Sequence, residues 1–130
     1  MAMRTDEMEA VMRASQAGEV VFPEVVRRLV EAGVESYFTD FVKGETTFHG
    51  SEGGTHTAAE GLGAGPVAGE FSSEGVVAAI RAAQADAIRF PEFMRRAKAA
   101  GVAGYWAFLA GRKVVYFGRK GEMHVEEFPR

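Results

Sequence analysis

Laid over itself with a shift of 68 positions, the 130-residue chain matches its own sequence without a gap. Phe22-Pro23-Glu24 falls on Phe90-Pro91-Glu92, Arg27-Arg28 on Arg95-Arg96, Gly33-Val34 on Gly101-Val102, Tyr37 on Tyr105 and His56 on His124. Of the 55 pairs between segments 3–57 and 71–125, 17 are identical, about four times what ordinary residue frequencies give by chance. A unit of this size buries too little apolar surface to stand alone. The two copies are therefore expected to close around one core, as a single domain over residues 1–130.

Each copy carries the same punctuation. Thr5 and Ser73 are N-cap residue types with acids behind them, and apolar residues recur at helical spacing through Met8, Val11 and Met12 and through Val76, Val77 and Ile80. Gly18 is suited to end the first helix, whereas its counterpart Asp86 does so at greater cost. A second helix is predicted to open at Phe22-Pro23 and at Phe90-Pro91, since proline is well placed in a first turn, and to end at Gly33 and Gly101. Beyond each glycine the pattern turns aromatic and β-branched, and the turns near Gly44, Gly53, Gly111 and Gly121 divide it into three short strands. The expected fold is α+β: a helix-helix-strand-strand-strand unit in tandem, with a mostly antiparallel sheet and a pseudo-twofold axis. The pattern leaves open whether the strands form one sheet or two. Residues 58–70, rich in glycine and alanine, read as a flexible connector.

Composition narrows the classes of function. The absence of cysteine excludes disulfides, thiol catalysis and cysteine–zinc sites. A net charge of −3 argues against nucleic acid as a partner, and no apolar run reaches the length of a membrane span. The acidic N-terminal stretch lacks the basic and apolar regions of a secretory signal, so a cytoplasmic protein is expected. The charge is unequally divided: residues 1–66 carry 5 basic and 11 acidic side chains and residues 67–130 carry 10 and 7, an asymmetry able to steer copies or whole chains together.

Several motifs resemble sites without meeting their requirements. Gly61-Leu62-Gly63-Ala64-Gly65-Pro66 has proline where a dinucleotide loop needs its last glycine, and reads as linker. His49-Gly50-Ser51-Glu52-Gly53 lies between strands and lacks the first glycine of a nucleophile elbow. The rings Tyr105, Trp106, Phe108, Tyr116 and Phe117 stand near Arg112, Lys113, Arg119 and Lys120, as in single-strand binders, but strand alternation divides them between two faces. Arg27-Arg28 and Arg95-Arg96 have local acidic partners in Glu24, Glu31 and Glu92. His56, His124 and Glu52 compose a weak alternative metal site, should a twofold axis unite the two histidines.

FPEVVRRLVEAGVESY and FPEFMRRAKAAGVAGYW, with the closing YFGRKGEMHVEEFP, resemble a small bacterial family of unknown function whose members often carry the label "phage envelope protein". The shared elements are Gln84, Phe90, Gly101-Val102 and Met123-His124-Val125-Glu126. A histidine commonly precedes that glutamine; this chain has Ala83 there, and Ser15 in the first copy. The resemblance implies no activity. The leading expectation is a non-enzymatic binding or interaction module, homodimeric and without a cofactor, that uses the seam between its copies. Its candidate ligand-binding residues are the polar-capable side chains retained in both copies: Tyr37, Tyr105, Gln16, Gln84, His56 and His124. The alternative is a small metal-dependent or acid–base enzyme built on the strand histidines.

Overall fold

A computed structural model describes residues 2–59 and 66–129. The first copy forms α1 (Thr5–Gln16), α2 (Phe22–Glu31), β1 (Val34–Asp40), β2 (Glu45–Gly50) and β3 (Thr55–Ala59). The second forms α3 (Ser73–Gln84), α4 (Phe90–Ala99), β4 (Val102–Phe108), β5 (Lys113–Gly118) and β6 (Met123–Glu127). Every boundary in the second set lies 68 residues beyond its counterpart.

The strands make one antiparallel sheet in the order β3-β2-β1-β4-β5-β6. At its centre Phe38 pairs with Trp106, flanked by Ser36 opposite Phe108 and Asp40 opposite Gly104. Phe38 and Trp106 are equivalent residues, so the pseudo-twofold axis passes between them. The helices cover one side only. Alternation sends Tyr37, Thr39, Phe48, Tyr105, Ala107, Val114 and Tyr116 to that side, where they join Met8, Val11, Leu29, Val76, Ile80, Phe93 and Ala97 in a continuous core. Phe38, Trp106, Phe108, Val115 and Phe117 alternate to the other side and stay outside that core.

Local chemistry explains the repeated boundaries. Pro23 and Pro91 stand in the first turns of α2 and α4, and the chain leaves both helices through left-handed glycines, Gly33 at φ 95° and Gly101 at φ 93°. The segments entering α1 and α3 dock on those exits: the Arg4 N–H donates to the Ala32 carbonyl and the Ser72 N–H to that of Ala100, each at 2.8 Å.

Three details differ from the sequence pattern. The helices begin one residue earlier than Thr5 and Ser73 imply as caps: Arg4 and Ser72 hold the N-cap positions, and only Ser72 caps with its side chain, accepting from the Gly75 N–H at 3.0 Å. Asp86 takes the left-handed turn of Gly18 all the same, at φ 56°, and Arg112 takes that of Gly44 at φ 58°. Aspartate tolerates this region better than most residues, and the Asp86 carboxylate is held there by Arg89. The connector is less free than its composition implies. Ala58 and Ala59 belong to β3, Val67 is buried, and the Ala68 N–H donates to the Lys98 carbonyl at 3.0 Å. Its glycine-rich part, residues 61–65, lies outside the described residues.

Two glycine replacements separate backbone strain from crowding. A Cβ on Gly53 would enter open space, whereas one on Gly101 would meet the Glu70 carbonyl and the Cα of Phe71. Gly53→Ala is expected to cost about 1 kcal/mol for its left-handed backbone, and Gly101→Ala at least twice that, read from urea midpoints at constant slope. Equal losses would show that the 70–72 segment does not pack as described.

Candidate functional site

A cavity of about 540 Å³ opens between the sheet and the helix layer at the seam of the two copies. Seven equivalent pairs line it: Met12/Ile80, Ser15/Ala83, Val20/Ile88, Val21/Arg89, Phe22/Phe90, Val25/Phe93 and Tyr37/Tyr105. It arises where α1 and α3 end and α2 and α4 begin, because the turns between these helices leave the axis unfilled. The cavity is not symmetric, however. It extends toward the second copy through Val114, Tyr116 and Glu126 and under the C-terminal Phe128-Pro129.

Its floor belongs to a row of rings that crosses the whole sheet. His56, Phe48, Tyr37, Tyr105, Tyr116 and His124 each come from a different strand, with successive centroid separations of 6.3, 5.7, 6.0, 5.7 and 6.3 Å. The palindromic series follows from the twofold relation. Four of the six residues singled out from the sequence stand in this row, and Tyr37 and Tyr105 lie in the cavity. Gln84 also lines it, while Gln16 closes the last turn of α1 outside the lining.

The two histidines do not meet. β3 and β6 are opposite edges of the sheet, so five strand spacings, roughly 24 Å, separate them. His56, His124 and Glu52 therefore do not converge within one chain, and no group of three potential ligands occurs among the described residues. Each histidine has its own carboxylate instead. His56 Nε2 lies 3.0 Å from Glu9 of α1, and His124 Nε2 lies 3.4 Å from its near neighbour Glu126. The paired arginines of α2 and α4 are occupied as well: Arg27 and Arg28 bond Glu24, Glu31 and Glu7, and Arg95 and Arg96 share Glu92.

Gln84, Asp86, Arg89 and Glu126 are polar side chains of the lining, and each is engaged by a neighbour. Arg81 Nη1 donates to Glu126 Oε2 at 2.8 Å, and Gln84 Nε2 approaches the same oxygen at 3.4 Å. Burial raises the Glu126 pKa, but Arg81, His124 and Gln84 together outweigh it and hold the carboxyl below its ordinary value. Burial, reinforced by Tyr105 and Glu126, pushes the Tyr116 pKa well above that of a free phenol. Tyr116 therefore offers a neutral hydroxyl at neutral pH. Arg89 bridges the copies, donating to Asp86 at 2.6 Å and to the Gly18 carbonyl at 2.9 Å; hydrogen bonding lowers the pKa of Asp86 and raises that of Arg89. Over the mouth, Phe128 meets Phe22 edge-on at 5.7 Å and lies under the Arg112 guanidinium, which also donates to the Pro129 carbonyl at 3.0 Å.

Sequence reasoning missed Asp86, Arg89, Glu126 and Phe128. The first three are positions where the copies diverge, opposite Gly18, Val21 and Ala58, and a search for retained residues passes over them. The matched Phe22 and Phe90 were visible as a pair, but read as helix openings.

Residues 22–127 match the family described as "Protein of unknown function (DUF1398)". The chain belongs to this family. The match spans most of the duplicated fold, from α2 to the end of β6, and carries no activity with it. No curated protein matches the DUF1398 chain.

Because the Glu126 pKa is depressed, its stabilisation is full above the ordinary carboxylate range and is lost as pH falls through the folded value. Glu126→Gln is expected to lower the melting temperature by a few degrees at pH 7, with the difference closing at acid pH. A constant difference across the titration would exclude the Arg81–Glu126–His124 cluster as its source.

Proposed function

We propose that this DUF1398 protein is a non-enzymatic, cytoplasmic binding module that holds a small molecule in the seam cavity. The observation carrying this reading is the lining: a wall mostly of apolar and aromatic side chains, interrupted by a few polar ones, Gln84, Asp86, Arg89 and Glu126 among them. A volume of about 540 Å³ lies within the 300–1,000 Å³ typical of small-molecule sites. Phe22, Phe90, Phe93, Tyr37, Tyr105, Tyr116 and Phe128 suit an aromatic or otherwise apolar body, whose flat faces can pack against rings. Tyr116 and Gln84 are among the lining side chains able to hydrogen-bond a polar group of the ligand.

Three ionisable groups of the lining favour binding over proton transfer. Asp86 is paired with Arg89 and Glu126 with Arg81, and burial pushes the Tyr116 pKa further above neutral pH. A general acid or base needs a pKa near the working pH, which these environments oppose. No helix among the described residues is long and apolar enough to cross a membrane.

Titration with the neutral fluorophore N-phenyl-1-naphthylamine tests the reading. The protein is expected to enhance its emission saturably at one equivalent, with micromolar affinity. Ala83→Phe, which puts a ring into the space beside Gln84, should weaken binding at least tenfold while keeping the fold by circular dichroism. A probe that does not saturate, or that binds the filled variant equally well, would refute the cavity as a ligand site.

A further inference from the structure

The face of the sheet opposite the helices carries its own pattern. Its middle row, read across the register, is Val125, Val115, Trp106, Phe38, Thr47 and Thr57. Beside it stand Phe117 and Met123 at one end of the strands and Phe108 at the other. The second copy thus presents an apolar half and the first a hydroxyl-bearing half. Trp106 lies at the centre, in contact with Phe38 at 5.3 Å, His49 at 5.2 Å and Phe108 at 5.5 Å. Val125 and Met123 are 49% and 61% exposed. A contiguous apolar patch around a central tryptophan and rimmed by polar residues has the make-up of a protein interface core.

We infer that this face binds a second copy of the chain, forming a homodimer by sheet-on-sheet packing around Trp106. Size permits it. Six strands at about 4.8 Å and five residues at about 3.3 Å give roughly 480 Å² per face, so a pair of faces reaches the ~1,000 Å² expected of a specific contact. Charge selects the arrangement. A twofold axis lying in the face, across the strands and along the Phe38–Trp106 row, lays Trp106, Val115 and Val125 on their own equivalents. It also sets His49 over the partner subunit's Glu45, twice, and Lys113 over the ring of the partner subunit's Phe117. The Glu45 carboxylate already faces Lys43 at 3.0 Å, and a His49 ring N–H would add a hydrogen bond to that ion pair. An axis along the strands would instead oppose valines to threonines and His49 to Lys113. Single-stranded nucleic acid fits the face less well, since Asp40, Glu45 and Glu127 stand among its rings and the chain is net negative.

Trp106 is the chain's one tryptophan, which makes its emission a direct reporter of this face. Light scattering at 100 µM should give the mass of a dimer, and dilution should move the Trp106 emission to longer wavelength in step with dissociation. Val115→Glu should raise the dimer dissociation constant at least tenfold. Glu45→Lys should raise it as well, and Glu45→Lys with His49→Glu should recover most of the loss. A monomer at 100 µM overturns the proposal, as does a dimer whose Trp106 emission is unchanged by dissociation or that Val115→Glu leaves intact. Failure of the charge reversal to recover affinity overturns the crosswise axis. Quenching of Trp106 by oligothymidylate, with the protein monomeric, would assign the face to single-stranded nucleic acid instead. None of these results depends on the seam cavity, which lies on the opposite side of the sheet.

Discussion

The pairing of β1 with β4 is the constraint from which the rest of the molecule follows. Each copy supplies three strands and two helices, and a three-stranded half of this length has only marginal stability alone. Joining the halves edge to edge removes two unpaired edges at once and makes a six-stranded surface broad enough for four helices. Because Phe38 pairs with Trp106, the join is self-equivalent, and the strand pairings of one half recur in the other. The price is that the two helix pairs touch across the axis chiefly through α1 and α4. Their turns cannot fill the space above Tyr37 and Tyr105, and the cavity occupies it. The proposed binding site is thus a geometric consequence of the duplication.

Backbone geometry has outlasted side-chain identity in the two copies. The left-handed positions of the first, Gly18, Gly33, Gly44 and Gly53, correspond to left-handed Asp86, Gly33's twin Gly101, Arg112 and Gly121. Two of the four have lost glycine and kept the conformation, each with a new interaction at the site: Asp86 bonds Arg89, and Arg112 bonds the Pro129 carbonyl. The buried Thr39–Thr46 hydroxyl pair, at 2.9 Å, corresponds to Ala107 and Val114. A mutually satisfied polar pair and an apolar pair of similar shape are close alternatives in a core, so the exchange leaves the sheet intact.

This history explains what could be read from the chain and what could not. Glycine and proline punctuation, with the shift of 68, specified all ten elements and their order, because those signals act through local backbone chemistry. Strand order was not legible: nothing in the pattern distinguishes β1 against β4 from two separate three-stranded sheets, and the edge positions of His56 and His124 follow from that choice alone. The cavity was half legible. Tyr37, Tyr105 and Gln84 are retained or polar and invited notice, but Asp86, Arg89 and Glu126 lie where the repeat breaks. Phe128 lies beyond the repeat altogether. A volume between side chains has no sequence signature, since it depends on how far packed elements stand apart.

The breaks in the repeat have a direction. Around the cavity the first copy contributes Ser15, Val20 and Val21 where the second has Ala83, Ile88 and Arg89, and it has Phe48 and Ala58 where the second has Tyr116 and Glu126. Guanidinium and carboxylate groups stand in the second copy, while Ser15 places a hydroxyl in the first, around an axis that the backbone leaves symmetric. A perfectly twofold cavity would offer a ligand two equivalent orientations, or would suit one that is itself symmetric. Divergence at these few positions breaks that equivalence, so a molecule held as proposed would meet two different halves. On the opposite face it has produced a similar segregation, threonines to one half and valines and aromatic rings to the other. Selection on the fold alone would not require either polarity, because Thr47 and Val115, or Phe48 and Tyr116, serve the sheet equally well. The asymmetry is therefore what divergence of the side chains has added to a backbone that remains twofold.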